Sequence, residues 1–205
     1  MVPIRVLAIA GSPRRHGNSE LLLDWVIDGL SWNPKVSTTK IVLNDADINP
    51  CRGCNACEKL NQCVIRDGMD TLHDQIIEAD CIILSAPIYC MNICAQAKAL
   101  VDRAQVFRSR KYVLKLPVVP PERKGKRLGV FLSTAGQDWD YVFDASIPVI
   151  KCFFHVVEIR NKDMHYLMVR NVDEKGAVEA DQHAKSDAYE LADMLVQTLT
   201  ERLSE

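Results

Sequence analysis

The segment Ile4–Ser19, IRVLAIAGSPRRHGNS, constrains this chain more than any other stretch. Val6, Leu7, Ala8, Ile9 and Ala10 form an unbroken apolar run, the pattern of a strand covered on both faces of a parallel sheet. The chain breaks at Gly11-Ser12-Pro13, crosses a polar loop, and resumes at Gly17-Asn18-Ser19 ahead of a helical apolar pattern. Strand, donor-rich loop and helix start in that order make an anion site, because unpaired backbone N–H groups and the positive helix end face one point. Ser12, Asn18 and Ser19 add side-chain donors, and Arg14 or Arg15 a positive charge. An ordinary strand-to-helix turn capped by Asn18 or Ser19 would use the same residues, so the segment alone leaves both readings open.

Spacing narrows the anion. A Walker A loop has four residues between its glycines and then Lys, whereas five separate Gly11 from Gly17 and Asn18 follows. A dinucleotide fingerprint requires a middle glycine for backbone to approach a pyrophosphate, and Ser12-Pro13 does not supply it. What fits is a monophosphate held by loop and helix end, as in FMN.

Apolar periodicity places the remaining elements. Leu21, Leu22, Trp25, Val26 and Leu30 mark a first helix, and a second strand follows at about residues 38–43. Residues 44–67 read as irregular. Met69, Leu72, Ile76 and Ile77 define a second helix, Cys81-Ile82-Ile83-Leu84 a third strand, and Ala95, Ala99, Leu100 and Ala104 a third helix. A basic, proline-containing connection spans residues 106–127. Leu128–Leu132 is a fourth buried strand, Tyr141–Ile150 a fourth helix ended by Pro148, Phe153–Ile159 a fifth strand, and Lys185–Leu203 a last helix. Strands alternating with helices predict an α/β fold with a doubly wound parallel sheet. At 205 residues a single domain, residues 1–205, is expected. Ligands in such sheets sit beyond the carboxyl ends of the strands, and three polar loops follow strands here: Gly11–Ser19, Ser85–Asn92 and Ser133–Gln137.

Four of the eight cysteines, Cys51, Cys54, Cys57 and Cys63, crowd one short run. The N-terminus has no signal-peptide pattern, and the apolar stretch Cys81–Ala95 is too short to span a bilayer. A cytoplasmic protein without membrane association is expected, where structural disulfides are rare. Steps of three let a turning backbone point successive thiolates at one centre, with Gly53 relieving crowding and Cys63 closing the set. That spacing favours a 4Fe–4S cluster over structural zinc, whose four-cysteine sites more often use two separated pairs, and over no metal. The five histidines show no ligand spacing.

GSPRRHGNS, SAPIYCMNICAQAKALVDR after the third strand, and the cysteine run with CVIRDGM together resemble the NADPH-dependent FMN reductase superfamily, and within it the iron–sulfur flavoprotein group. The resemblance implies a flavodoxin-like sheet of order 2-1-3-4-5, FMN as cofactor and a homodimer or homotetramer. It implies that Ser12, Arg14, Asn18 and Ser19 hold the phosphate, that Pro87, Ile88, Tyr89, Cys90, Met91 and Asn92 line the ring, and that Ser133, Thr134, Ala135, Gly136 and Gln137 close over the ring's pyrimidine edge. Cys90 stands where relatives commonly carry an aromatic or small polar residue; packing is the expected role for it, as for Cys81, Cys94 and Cys152. Lys98, Asp102 and Arg103 also match, and read equally as a surface ion cluster at helical spacing.

The implied function is an FMN-dependent oxidoreductase that passes electrons through the cluster and FMN to oxygen, peroxide or a quinone. The alternative is an NAD(P)H-dependent flavin or quinone reductase without a cluster, and NAD(P)H is a possible donor in either case. A non-catalytic, zinc-stapled flavin-binding protein is a third reading. Arg108, Arg110, Lys111, Lys115, Arg123, Lys124, Lys126 and Arg127 in the basic connection read as a solvated loop or as a docking patch for an acidic ferredoxin. A net charge of -2 and the lack of aromatic interleaving argue against nucleic acid.

Overall fold

Alternation along the central strand organises the molecule. In the computed structural model, which describes residues 3–204, β1 (Ile4–Ala10) directs Val6, Ala8 and Ala10 to one face and Leu7 and Ile9 to the other. Helices α1 (Asn18–Ser31) and α7 (Ala184–Ser204) cover the first face through Leu22, Val26, Leu30, Ala188 and Leu195. Helices α3 (Met69–Glu78), α4 (Ala95–Arg103) and α6 (Ser146–Val156) cover the second through Met69, Ile76, Leu100, Phe153 and Phe154. Removing both faces of the sheet from water is the principal stabilising term, about 1.5–3 kcal/mol for each large apolar side chain.

Strands β2 (Val36–Val42), β1, β3 (Cys81–Tyr89), β5 (Leu128–Thr134) and β6 (Met164–Val169) lie in that order, all parallel. This is the expected 2-1-3-4-5 arrangement of a flavodoxin-like fold. One short strand lies off that path: β4 (Asn92–Ile93) folds back antiparallel onto the end of β3.

Two expected elements are corrected. Phe153–Ile159 is not a strand; its first residues end α6, and the fifth parallel strand is β6, at residues 164–169. Ile150, Phe153, Phe154 and Val157 are buried at helical spacing, and that periodicity prevails over the β-branched and aromatic composition. Nor does Pro148 end a helix. It sits in the first turn of α6, where its missing N–H has no partner to lose. The third helix also runs further than its apolar pattern indicates, through α5 (Gln105–Arg108) into a π-helical turn at Ser109–Val113.

Candidate functional site

The carboxyl ends of β1, β3 and β5 meet at one rim. Pro87 and Thr134 are the last register partners of β3 and β5. The Gly11 N–H donates to the Ser85 carbonyl at 2.7 Å, and a Cβ at Gly11 would lie 2.8 Å from that oxygen, so only glycine allows the strands to converge there. Ser12, Arg14, Asn18, Ser19, Pro87, Ile88, Tyr89, Thr134 and Gly136 line a common cavity of about 90 Å³. A larger cavity of about 310 Å³ lies at the opposite edge, around Ile4, Lys35, Asp80 and Lys126, where the strands begin; parallel sheets bind ligands at the other end.

The first turn of α1 gives the rim its polarity, because its leading N–H groups have no partner within the helix. Of the two arginines, Arg14 lines the cavity, while Arg15 turns away to Asp45 and Glu20. Buried Glu20 accepts the His16 N–H at 2.6 Å and the Lys40 ammonium at 2.9 Å. Burial opposes its charge, but those bonds outweigh burial and hold its pKa below the usual carboxylate range. Ser12 Oγ accepts the Arg14 N–H at 3.0 Å.

Asn18 is placed differently from a simple phosphate donor. Its Nδ2 donates to the carbonyls of Val172 (2.9 Å) and Glu174 (2.8 Å), and its Oδ1 accepts the Val178 N–H at 3.3 Å. The side chain therefore pins the loop after β6, which brings Val172, Asp173 and Lys175 into the cavity wall. A Cβ on Gly136 would lie 2.6 Å from an Asp173 carboxylate oxygen, so loop and strand end pack in direct contact. This fourth wall has no signal in the sequence pattern, because the apolar run Phe153–Ile159 competes with Met164–Val169 for the preceding strand.

The middle loop is a two-residue hairpin. Ile88 pairs with Ile93 and Tyr89 with Asn92, leaving Cys90 and Met91 at φ 49° and 68°. A turn with both central residues at positive φ is common with glycine and asparagine, and costs energy in the residues found here. Ala135, Val142 and Phe143 form a small apolar cluster against Ile88 and Met91, which supports the turn from below. Asn92 Oδ1 accepts the Ile93 N–H at 2.8 Å. Ser133 is wholly buried and bonds the Ala86 carbonyl at 2.8 Å, tying β5 to β3, whereas Gln137 is exposed and accepts the Asn171 N–H through its carbonyl. Cys81 and Cys94 are packed as expected, with the Cys81 thiol pushed by burial up to about 12. Cys90 and Cys152, by contrast, do not pack as expected: both are exposed, Cys90 at the hairpin turn and Cys152 within α6.

The cysteine run wraps a second cavity of about 110 Å³, lined by Cys51, Cys54, Cys57 and Cys63 together with Arg103, Gln105, Arg108 and Ser109. Left-handed residues Gly53, Asn55 and Asn61 and the single turn α2 (Cys57–Leu60) curl the backbone around it. Gly53 is needed for its φ of +63° and not to relieve crowding, since nothing lies within 4 Å of where its Cβ would be. Among the described residues no three His, Cys, Asp or Glu side chains are arranged to hold a single metal ion. All four cysteines of the run nevertheless line the one cavity.

What anchors the run is Arg103, fully buried rather than part of a surface ion cluster. It donates to Asp67 through two nitrogens at 2.7 and 3.0 Å, and to the carbonyls of Asn49 (2.7 Å) and Ile65 (3.3 Å). Burial opposes the Asp67 charge, but Arg103 and two backbone N–H groups outweigh it and hold the carboxyl far below its usual range. Lys98 and Asp102 do form an exposed pair at 2.7 Å. Much of the basic connection is likewise committed within the chain: Arg108 to Glu58, Lys111 to Glu158 and Arg123 to Asp80. Arg127 is buried and donates to the carbonyls of Ile76, Ala79 and Val157 around the ends of α3 and α6, and burial pulls its pKa down to about 10. No helix among the described residues is long and apolar enough to cross a membrane.

The chain has relatives among known proteins. It is 34% identical over 133 residues to an iron–sulfur flavoprotein of Archaeoglobus fulgidus, covering 65% of this chain and 56% of that protein. It is 38% identical over 105 residues to one of Methanocaldococcus jannaschii, covering 51% and 54%, and 33% identical over 112 residues to one of Methanosarcina thermophila, covering 55% and 58%. The matches thus span a little over half the length of these curated relatives. In three dimensions the chain resembles an FMN-dependent NADH-azoreductase of Bacillus anthracis solved with FMN, at TM-score 0.68, 17% identity and coverage of 95% and 99%. It also resembles an NAD(P)H:quinone oxidoreductase of Methanothermobacter marburgensis, at TM-score 0.65, 15% identity and coverage of 95% and 98%. The family model described as NADPH-dependent FMN reductase matches residues 4–138. The sheet, its rim and this match agree: the chain belongs to the NADPH-dependent FMN reductase family.

Proposed function

We propose that this chain is an FMN-dependent oxidoreductase of the iron–sulfur flavoprotein type, taking electrons through a cysteine-bound 4Fe–4S cluster and passing them by way of FMN to an acceptor such as oxygen, peroxide or a quinone. The observation that carries the reading is the pair of cavities, one at the strand ends and one ringed by four thiols. When bound, a cluster handles single electrons and FMN one or two, so together they couple one-electron delivery to two-electron reduction.

The residues present fit both groups. At the rim, the first turn of α1 with Ser12, Arg14 and Lys175 favours an anion the size of a phosphate. Pro87, Ile88 and Tyr89 offer an apolar wall, and the turn at Cys90-Met91 leads to Asn92 beside it. Thr134, Gly136 and the loop held by Asn18 form the opposite side. At the second cavity, the Nε of buried Arg103 lacks a hydrogen-bond partner beside Cys63, as expected of a donor meant for an anionic group bound there. A one-electron donor of the ferredoxin kind suits such a cluster, with Lys115, Lys124 and Lys126 the lysines of the connection available to it after the internal pairings. Exposed Tyr89, Trp139 and Tyr141 supply apolar surface near the rim for a homodimer or homotetramer.

The deciding experiment is an anaerobic reductive titration followed by visible absorbance. A reduced one-electron donor should bleach both the flavin bands and a broad iron–sulfur shoulder. Flavin bleaching by NADPH with no such shoulder would establish the alternative, an NAD(P)H oxidoreductase without a cluster.

A further inference from the structure

Arg103 can be accounted for nitrogen by nitrogen. A guanidinium has five N–H donors. Four are spent on Asp67, Asn49 and Ile65, and these fix the plane of the group. The fifth, at Nε, is buried with no acceptor, in a wall of the cavity that Cys63 also lines.

Ser109 presents a parallel case. Its side chain is buried, and the described partner of its hydroxyl is Cys57 Sγ at 3.2 Å. It stands at the start of the π-helical turn, where the Leu114 N–H bonds the Ser109 carbonyl at 2.9 Å. Such wide turns interrupt α-helices often at functional sites. A thiol at Cys57 could act as donor to Ser109; once deprotonated to bind iron it can only accept. A third donor comes from the loop itself, the Gly53 N–H to Cys51 Sγ at 3.5 Å.

Two of the four sulfurs therefore have a donor within reach, Cys57 from Ser109 and Cys51 from the Gly53 N–H, while the unpaired Nε of Arg103 lies in the same cavity wall as Cys63. We propose that Ser109 and Arg103 are positioning residues that set the reduction potential of the group held by the cysteines, Ser109 through its O–H at Cys57 and Arg103 through the unpaired Nε–H and fixed charge it keeps in the cavity wall. The inference rests on the cluster reading above. A cluster held there would gain one negative charge, spread over iron and sulfur, on taking one electron from the external donor. Donors and a fixed positive charge aimed at the sulfurs stabilise the reduced state, so they raise the potential.

The test compares wild type with Ser109→Ala and Arg103→Lys, measuring iron and sulfide per chain and the cluster and flavin midpoint potentials by spectroscopic redox titration. Both variants should keep the wild-type flavin potential, because the rim is built from other residues. Ser109→Ala should lower the one-electron equilibrium constant for cluster reduction several-fold, and Arg103→Lys by about tenfold or more, tenfold being about 59 mV. Should Arg103→Lys fail to fold, Ser109→Ala, which removes one hydroxyl, still decides. Full iron content with an unchanged cluster potential overturns the inference while leaving the cluster reading intact. Wild-type protein without iron or sulfide overturns the cluster reading itself, and this inference with it.

Discussion

The two cavities are built on opposite principles. The rim at the strand ends is a product of the sheet: parallel register brings Pro87 beside Thr134, Gly11 lets β1 close on β3, and the start of α1 supplies unpaired N–H groups. The cysteine cavity rests on one helical stretch, and the segment that carries the cysteines has little regular structure beyond the single turn α2. Its segment is held by one buried ion pair, Asp67 with Arg103, and by left-handed turns. The first site is thus stabilised by the whole core, and the second by a few polar contacts that can be removed singly. Damage to one region should therefore leave the other standing.

The largest effect is expected from Asp67→Ala. It leaves the Arg103 charge buried and unpaired, a loss of about 3–5 kcal/mol, and it should release residues 49–67 to proteolysis and abolish iron binding while FMN still binds. Loss of both cofactors together would show that the regions are not independent. Asn18→Ala is the converse. It strands the Val178 N–H and two carbonyls of the loop after β6, at about 1–3 kcal/mol for each group left unsatisfied. FMN should bind at least about tenfold more weakly, given about 1.4 kcal/mol per decade, with iron content unchanged by elemental analysis.

Acid should separate the regions more gently. The folded Asp67 pKa is depressed, so its stabilisation is complete above the unfolded value near 3.9 and is lost as pH falls toward the folded one. Buried His73 also titrates low, chiefly through burial, so stability falls as pH drops below about 6.5, where the unfolded chain takes up a proton that the folded one refuses. Both groups face the cysteine side, His73 through the Arg103 carbonyl at 3.3 Å. Thermal melts from neutral pH downward should therefore show protease sensitivity in residues 49–67 before flavin release. The smallest effect belongs to Lys98→Ala, which breaks an exposed pair with Asp102 and should change stability by about 0.5 kcal/mol or less.

How far the sequence could be read follows the same division. Buried parallel strands are continuous apolar runs, so β1, β3 and β5, and with them the rim, were legible. The edge strand β6 was not, because only some of Met164–Val169 is buried and the apolar run ahead of it competes for the assignment. Losing β6 also hid Val172, Asp173 and Lys175. The hairpin at Cys90-Met91 lacks the Asn-Gly or Gly-X residues that usually announce one. At the cysteines the spacing was plain but the supports were not. Arg103 looks like one member of an exposed helical charge cluster, and only the tertiary fold shows that it faces Asp67 across 36 residues. Arg127 had no local signal either, since a basic proline-rich stretch gives no hint that one of its arginines caps two helices.

The central claim, that one chain carries both a flavin rim and a cluster-binding cavity, is tested most directly by measuring iron, acid-labile sulfide and FMN on anaerobically purified protein. The account predicts about four iron and four sulfide for each FMN. Stoichiometric FMN with neither iron nor sulfide would contradict it.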